Sequence, residues 1–227
     1  MGWPEKLVLV RHAESEGNVL SMDERVEHEA ATHNYALTSR GRKQAEITGE
    51  YLREKFGYFD VNYSSYYRRA KETLQLMYPE VPGEPKVKIY EDFRLAEAQR
   101  GIYHTLNSEQ VKQLYPNEIL RRQRENLYHY RPWGGENWPD VELRIDSFLG
   151  MLNRDCEGEK VLIVVHGNWL VLLQLLLEHF SIEEALDRYH NSVVENASVT
   201  IYNREIIKGR QRLILETHNL IPWKGQV

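Results

Sequence analysis

The chain has 227 residues, 34 acidic and 29 basic, for a formal net charge of −5, and it is long enough to bury a substantial core without disulfides or structural metal. The acidic balance argues against nucleic acid, which calls for a basic face, but leaves open an anionic small molecule held in a focused cationic cleft. Cys156 is the single cysteine, which excludes an internal disulfide and fits a reducing compartment.

The N-terminal MGWPEK carries no apolar signal core, so no secretion is expected. The apolar stretch WLVLLQLLL, 169–177, falls short of the roughly 20 residues of a membrane span. A cytoplasmic protein without a membrane partner is therefore the expectation.

In chain order, the unbroken apolar run 7–10 predicts a strand covered on both faces, ending at Arg11 and His12. Residues 20–36 are polar without clean periodicity. Thr38 predicts an N-cap for a helix to about Lys55, with Ala45, Thr48, Leu52 and Phe56 on one face. A short strand follows at 60–63, then a helix from about Tyr66 to Met77 that stops before Pro79. VPGEP, 81–85, predicts a turn and 86–90 a strand. Residues 121–139 again lack periodicity, and long segments of this kind are often binding loops.

Asn137-Trp138-Pro139-Asp140 predicts a capped helix start, followed by the stripe Val141, Ile145, Phe148, Leu149 and Leu152. The run 161–165 predicts a second buried strand, ending at His166, with a helix after Gly167 and another over 182–189. Residues 198–202 and 212–215 predict closing strands in a hairpin. Strands alternating with helices indicate a three-layer α/β sandwich.

Both apolar strands thus end in histidine. If they are parallel and adjacent, His12 and His166 share the carboxyl edge of the sheet, where open α/β sheets bind ligands. The helix start at Gly167 adds free N–H groups that favour an anion.

RHAESEGN, RAKET (69–73), LAEAQRG (95–101) and VVHGN resemble four successive motifs of the histidine phosphatase superfamily. They fall in the branch containing cofactor-dependent phosphoglycerate mutases and fructose-2,6-bisphosphatase. LTSRGRKQA (37–45) and GGENWPDVELR (134–144) resemble its connecting helices. The resemblance runs from about Lys6 to Tyr202. It implies one phosphoglycerate mutase-like domain over 1–227: an α/β/α sandwich with a mostly parallel sheet, an antiparallel C-terminal edge, and lid-like segments at about 20–36 and 103–139.

By this resemblance His12 is the nucleophile that forms a phosphohistidine, Arg11 and Arg69 clamp the phosphoryl oxygens, and His166 donates to one of them. Glu97 matches the proton donor to the leaving group; Glu14, Glu91 and Asp92 are its rivals. Asn18, the Gly167 N–H and Asn168 are further substrate contacts. No cofactor is implied, and the other histidines show no metal spacing such as HExxH.

Departures from the family pattern are Ala13 in place of glycine, the tyrosines of SSYYRRA (64–70) in the second motif where the family often has proline and an aliphatic residue, and Ala98 and Gln99-Arg100 where mutases carry arginine and tyrosine. HGN and Arg121-Arg122 are mutase-like. The expected activity is phosphomonoester hydrolysis through phosphohistidine on a small phosphorylated metabolite or phosphoprotein, with inorganic phosphate as product. The alternatives are a mutase and a non-catalytic phosphate-binding module. Tyr128, Tyr130, Trp133 and Trp138 would cap the pocket or pack between helices, and a homodimer is the default assembly.

Overall fold

A computed structural model describes residues 2–83 and 85–227; Met1, and Glu84 in the expected 81–85 turn, lie outside them. In chain order the elements are β1 (Lys6–Arg11), α1 (Glu16–Val19), α2 (Met22–Glu27), α3 (Ser39–Phe56), β2 (Val61–Ser64), α4 (Arg68–Met77), β3 (Ile89–Glu91), α5 (Ser108–Leu114) and α6 (Pro116–Arg124). Then come α7 (Trp138–Asp155), β4 (Lys160–Val165), α8 (Gly167–Glu178), α9 (Ile182–Asn191), β5 (Val199–Ile207) and β6 (Arg210–Leu220). Among the described residues no helix is long and apolar enough to cross a membrane.

The strands form one six-stranded sheet in the order β3-β2-β4-β1-β5-β6. The four from β3 to β1 are mutually parallel, and β5 and β6 run antiparallel at the edge. β1 and β4 read as apolar runs because successive side chains enter opposite, equally dry faces. Leu7, Leu9, Val161, Ile163 and Val165 pack with α7 and α8. Val8, Val10, Leu162 and Val164 pack with Leu52 of α3 and Leu74 and Met77 of α4. These are the three expected layers.

The expected strand at 86–90 is reduced to Ile89–Glu91, because ladder partners begin only at Asn62↔Ile89. α4 starts at Arg68, two residues later than expected, with Tyr67 extended at its N-cap. The closing strands are longer than predicted and form a hairpin through Lys208 and Gly209, whose φ angles of 51° and 74° suit a two-residue turn that matches strand twist. The segments without periodicity contain short helices, α2 in the first and the end of α6 in the second.

One close approach positions the future site. Thr38 caps α3 by accepting from the Gly41 N–H at 2.9 Å and donates to Glu14 Oε1 at 2.7 Å, tying the helix to the loop after β1. A Cβ on Gly41 would lie 1.9 Å from the Glu14 carbonyl oxygen, so helix and loop touch through bare backbone. Gly41→Ala is expected to cost about 3 kcal/mol of stability, read as a lowered urea midpoint, with activity falling alongside because the displaced loop carries His12.

Candidate active site

The register of β1 and β4 decides the geometry. Arg11 pairs with Val165, and the His12 N–H continues the ladder to the Val165 carbonyl at 2.8 Å. His12 and His166 are therefore the first residues beyond two paired strand ends, and their ring centroids lie 5.1 Å apart. Both are buried.

Arg69, on the first turn of α4, binds the two rings together. Its Nε donates to His12 Nε2 at 3.1 Å, Nη2 lies 3.3 Å from His166 Nδ1, and Nη1 donates to the Thr32 carbonyl at 2.9 Å. Because guanidinium only donates, His12 Nε2 and His166 Nδ1 must present lone pairs. The protons sit on the opposite nitrogens: His12 Nδ1 donates to the Ala13 carbonyl at 2.8 Å, and His166 Nε2 to Ser65 Oγ at 2.9 Å. Each tautomer is set by the neighbours of the ring.

The RAKET threonine has a structural task. Thr73 Oγ1 accepts from the Ala13 N–H at 3.0 Å and donates to the Arg69 carbonyl at 2.7 Å, joining α4 to the His12 loop. Ala13 is not among the residues with positive φ, so alanine is accommodated there.

Arg11 donates through Nη1 to the Val194 carbonyl, while its buried Nε has no protein partner among the described residues. Its guanidinium lies against Gly167, where an added Cβ would be 3.6 Å from Nε. Glu97 accepts from the Ala98 N–H at 3.0 Å and from the Asn168 N–H, on the first turn of α8, at 3.3 Å.

The rival carboxylates are committed elsewhere: Glu14 to Thr38 and Arg40, Asp92 to Arg94, and Glu91 to Lys71 at the surface. Arg11, His12, Asn18, Arg69, Glu97 and Asn168 line one cavity of about 540 Å³. Asn18 Oδ1 is occupied in the turn at Ser15. His166 lies beneath the cavity wall, fully buried, with Tyr67 edge-on to its ring at 4.9 Å.

Burial first, and then the Arg69 charge, holds both imidazoles well below the ordinary histidine range, with Arg11 adding to the effect on each. Burial also lowers Arg69 to about 10, which leaves it charged at neutral pH. The site is thus two cations facing two neutral imidazoles and one carboxyl side chain. Among the described residues no three His, Cys, Asp or Glu side chains gather as metal donors.

A pH effect on stability follows. In the unfolded chain both histidines titrate near 6.5, whereas the folded values are lower. The unfolded chain therefore binds more protons below 6.5. The stability these rings contribute is complete above that pH and is lost as pH falls towards the folded values. Each should cost about 1 kcal/mol over the first pH unit below 6.5. Melting between pH 7.5 and 5.5 is expected to show this slope, and His12→Asn should remove one ring's share. His104 and His218, partly buried and shifted the same way, add a smaller contribution.

Of the site residues, Thr32, Tyr35 and Ser65 went unread in the sequence. Ser65 sits just past β2, parallel to β4, so the strand-end reasoning that located the two histidines would also have found it. His104 bridges two distant segments: it lies 3.1 Å from Thr32 Oγ1 through Nδ1, and its Nε2 accepts from the Arg100 N–H at 3.0 Å. Arg121 pairs with buried Glu118 at 2.7 Å, whereas Arg122 lines the cavity with Arg25 and Arg100. Of the aromatic residues in question, Tyr130 and Trp138 are buried at the cavity wall and Trp133 is 61 % exposed. Tyr128 donates to Glu142 at 3.2 Å.

A mostly parallel sheet with two strand-end histidines joined by one arginine beside a cationic cavity fits a class of phosphoryl-transfer sites, and the chain's relatives agree. Residues 7–216 match the histidine phosphatase superfamily (branch 1), and the chain belongs to that family, whose members are phosphatases or mutases. It is 31% identical to a phosphoglycerate mutase of Schizosaccharomyces pombe over 82% of this chain and 85% of the relative. A 2,3-bisphosphoglycerate-dependent phosphoglycerate mutase of Parvibaculum lavamentivorans is 31% identical over 81% and 84%.

Among solved structures, the alpha-ribazole phosphatase of Shigella flexneri superposes with a TM-score of 0.72 at 22% identity, over 95% of this chain and 98% of that one. A mycobacterial glucosyl-3-phosphoglycerate phosphatase does so with a TM-score of 0.67 at 24% identity, over 95% and 99%. At these identities the likeness is one of fold.

Proposed function

We propose that this chain is a phosphomonoesterase working through a phosphohistidine at His12. The observation that carries the reading is the unprotonated His12 Nε2, directed at Arg69 in a ring held neutral by burial and adjacent guanidinium charge. In the first step Nε2 bonds to phosphorus, the ester P–O bond breaks, and the departing alkoxide takes the proton of Glu97. The Arg69 Nε–H passes from His12 to a phosphoryl oxygen as the nitrogen lone pair is used. Arg11 and Arg69 offset the charge on the equatorial oxygens. In the second step water attacks phosphorus, gives its proton to the Glu97 carboxylate, and the N–P bond breaks.

The outer cavity supports a small metabolite bearing further negative charge. Arg25, Arg100 and Arg122 line it, and none makes an ion pair among the described residues. Burial, then the proximity of Arg25, lowers Arg100. Segments 20–36 and 103–139, joined by Asn107 donating to Asp23 at 2.5 Å and by the Thr32–His104 contact, would close over such a substrate.

The mutase is the second reading, favoured by the mutase relatives and by Arg122 at the cavity; Ala98 in the position after the acid counts against it. Incubation of the phosphorylated enzyme with 3-phosphoglycerate separates the two. Phosphate release from simple and polyanionic monoesters, with little 2-isomer, is the expected result, and rapid isomerisation with slow hydrolysis would reverse the assignment. Rapid-quench labelling that found no acid-labile phosphoenzyme, despite phosphate binding, would point to a non-catalytic module.

A further inference from the structure

Tyr35 is the least explained side chain at this site. It is 3 % exposed, it lines the cavity together with His12, Arg11 and Arg69, and its hydroxyl has no hydrogen-bond partner among the described residues. A buried hydroxyl without a partner carries a desolvation penalty and calls for an explanation.

The ring cannot swing away to find one. A Cβ at Gly17 would lie 2.6 Å from Tyr35 Cδ2, so the ring is pressed against the α1 backbone, and His28 meets it edge-on at 5.1 Å. The backbone on either side is equally fixed. Tyr35 ends the short 3-10 turn Thr32–Asn34, whose Thr32 carbonyl receives Arg69 Nη1.

Past the tyrosine, Ala36 exchanges bonds with Glu16 at 2.9 and 3.0 Å. Leu37 bridges Ser15 and donates to Glu72 Oε2 at 2.9 Å. Tyr35 shares the cavity wall with Arg69, and its influence on the guanidinium, the weakest of those acting there, favours the charged form. A rigidly held O–H without a partner, on a residue of the wall of a cationic cavity, suits an acceptor that arrives with the ligand.

We infer that the Tyr35 hydroxyl is a further donor to the oxygens of the bound phosphoryl group, acting beside Arg69. The inference rests on the proposed phosphoryl-transfer reading. It deepens that reading by adding a neutral donor to the cationic clamp, drawn from the 20–36 segment and not from a strand end. It also gives that segment a part in holding the anion, since Thr32 accepts from Arg69 and Tyr35, at the end of the same turn, lines the cavity with it.

Tyr35→Phe removes the oxygen and keeps the ring. By calorimetry with inorganic phosphate and with orthovanadate as probes, the variant is expected to bind about tenfold more weakly. Its melting temperature without phosphate should be equal to or above that of the wild type, and its phosphate-induced rise in melting temperature should be smaller. With 4-nitrophenyl phosphate, kcat/KM should fall about tenfold or more through KM as well as kcat.

Unchanged phosphate affinity together with an unchanged phosphate-induced melting shift would overturn the assignment, even if the wild type proves an active phosphatase. Conversely, a wild type that binds phosphate through Tyr35 but releases none from any monoester would leave this inference standing and remove the hydrolase reading.

Discussion

His12→Ala is expected to lower kcat/KM for any phosphomonoester by on the order of 10⁴-fold or more and to eliminate the acid-labile phosphoenzyme. Uncatalysed monoester cleavage is so slow that a site of this kind must supply on the order of 20 kcal/mol. In the proposed route covalent transfer divides that barrier between two easier steps, both of which would pass through the His12 nitrogen. The side chain is 4 % exposed, and the alternative imidazole, His166, cannot take over. It is fully buried beneath the wall of the cavity that His12 lines, and its Nε2 is committed to Ser65.

Alanine also leaves Arg69 Nε without its acceptor, so folding must be checked by circular dichroism and melting before rates are compared. His12→Asn, which retains polarity without a nucleophilic ring, is the control. A folded His12→Ala enzyme hydrolysing at the wild-type rate would refute the covalent route.

The second large effect is expected at Arg69. Its guanidinium reaches His12, His166 and the Thr32 carbonyl at once, a planar spread that an ammonium group does not reproduce. Arg69→Lys is therefore expected to reduce kcat/KM about 10³-fold even though the charge is retained, with KM for the ester rising as kcat falls.

Arg69→Gln separates geometry from charge through pH. The Arg69 charge is, after burial, the largest cause holding His12 low. Removing it raises the His12 pKa, which protonates the nucleophile over more of the acidic range, so Arg69→Gln should lose more activity at pH 6 than at pH 8. The lysine variant, still charged, should show a nearly uniform loss across that range. Identical pH profiles for the two variants would show that the charge of Arg69 does not govern the protonation state of the nucleophile.

The buried strands were readable from local pattern alone, because a strand covered on both faces must be apolar at every position. Leu7–Val10 and Val161–Val165 have this property, and a histidine following such a run has one place to go, the strand tip. Thr38 and Asn137 announced their helices because caps act through residues three apart in sequence: both accept from the N–H three residues on. The RAKET threonine and the acid motif could be located, but their partners, Ala13 and Asn168, could not.

What remained hidden depends on distances that no short stretch of chain encodes. The pairing of Arg11 with Val165, which sets the two imidazoles side by side, is fixed only when both sheet faces are packed. Helices α2, α5 and α6 have 6, 7 and 9 residues, below the 11 to 18 over which helical periodicity can be recognised. Residues 20–36, which carry α2, and 121–139, where α6 ends, therefore read as featureless. Thr32 and Tyr35 come from the first of these segments and Ser65 from a strand end. What makes them parts of one site is the convergence of separate segments around a single guanidinium, a property of the folded chain that arises when burial, and not sequence proximity, chooses the neighbours.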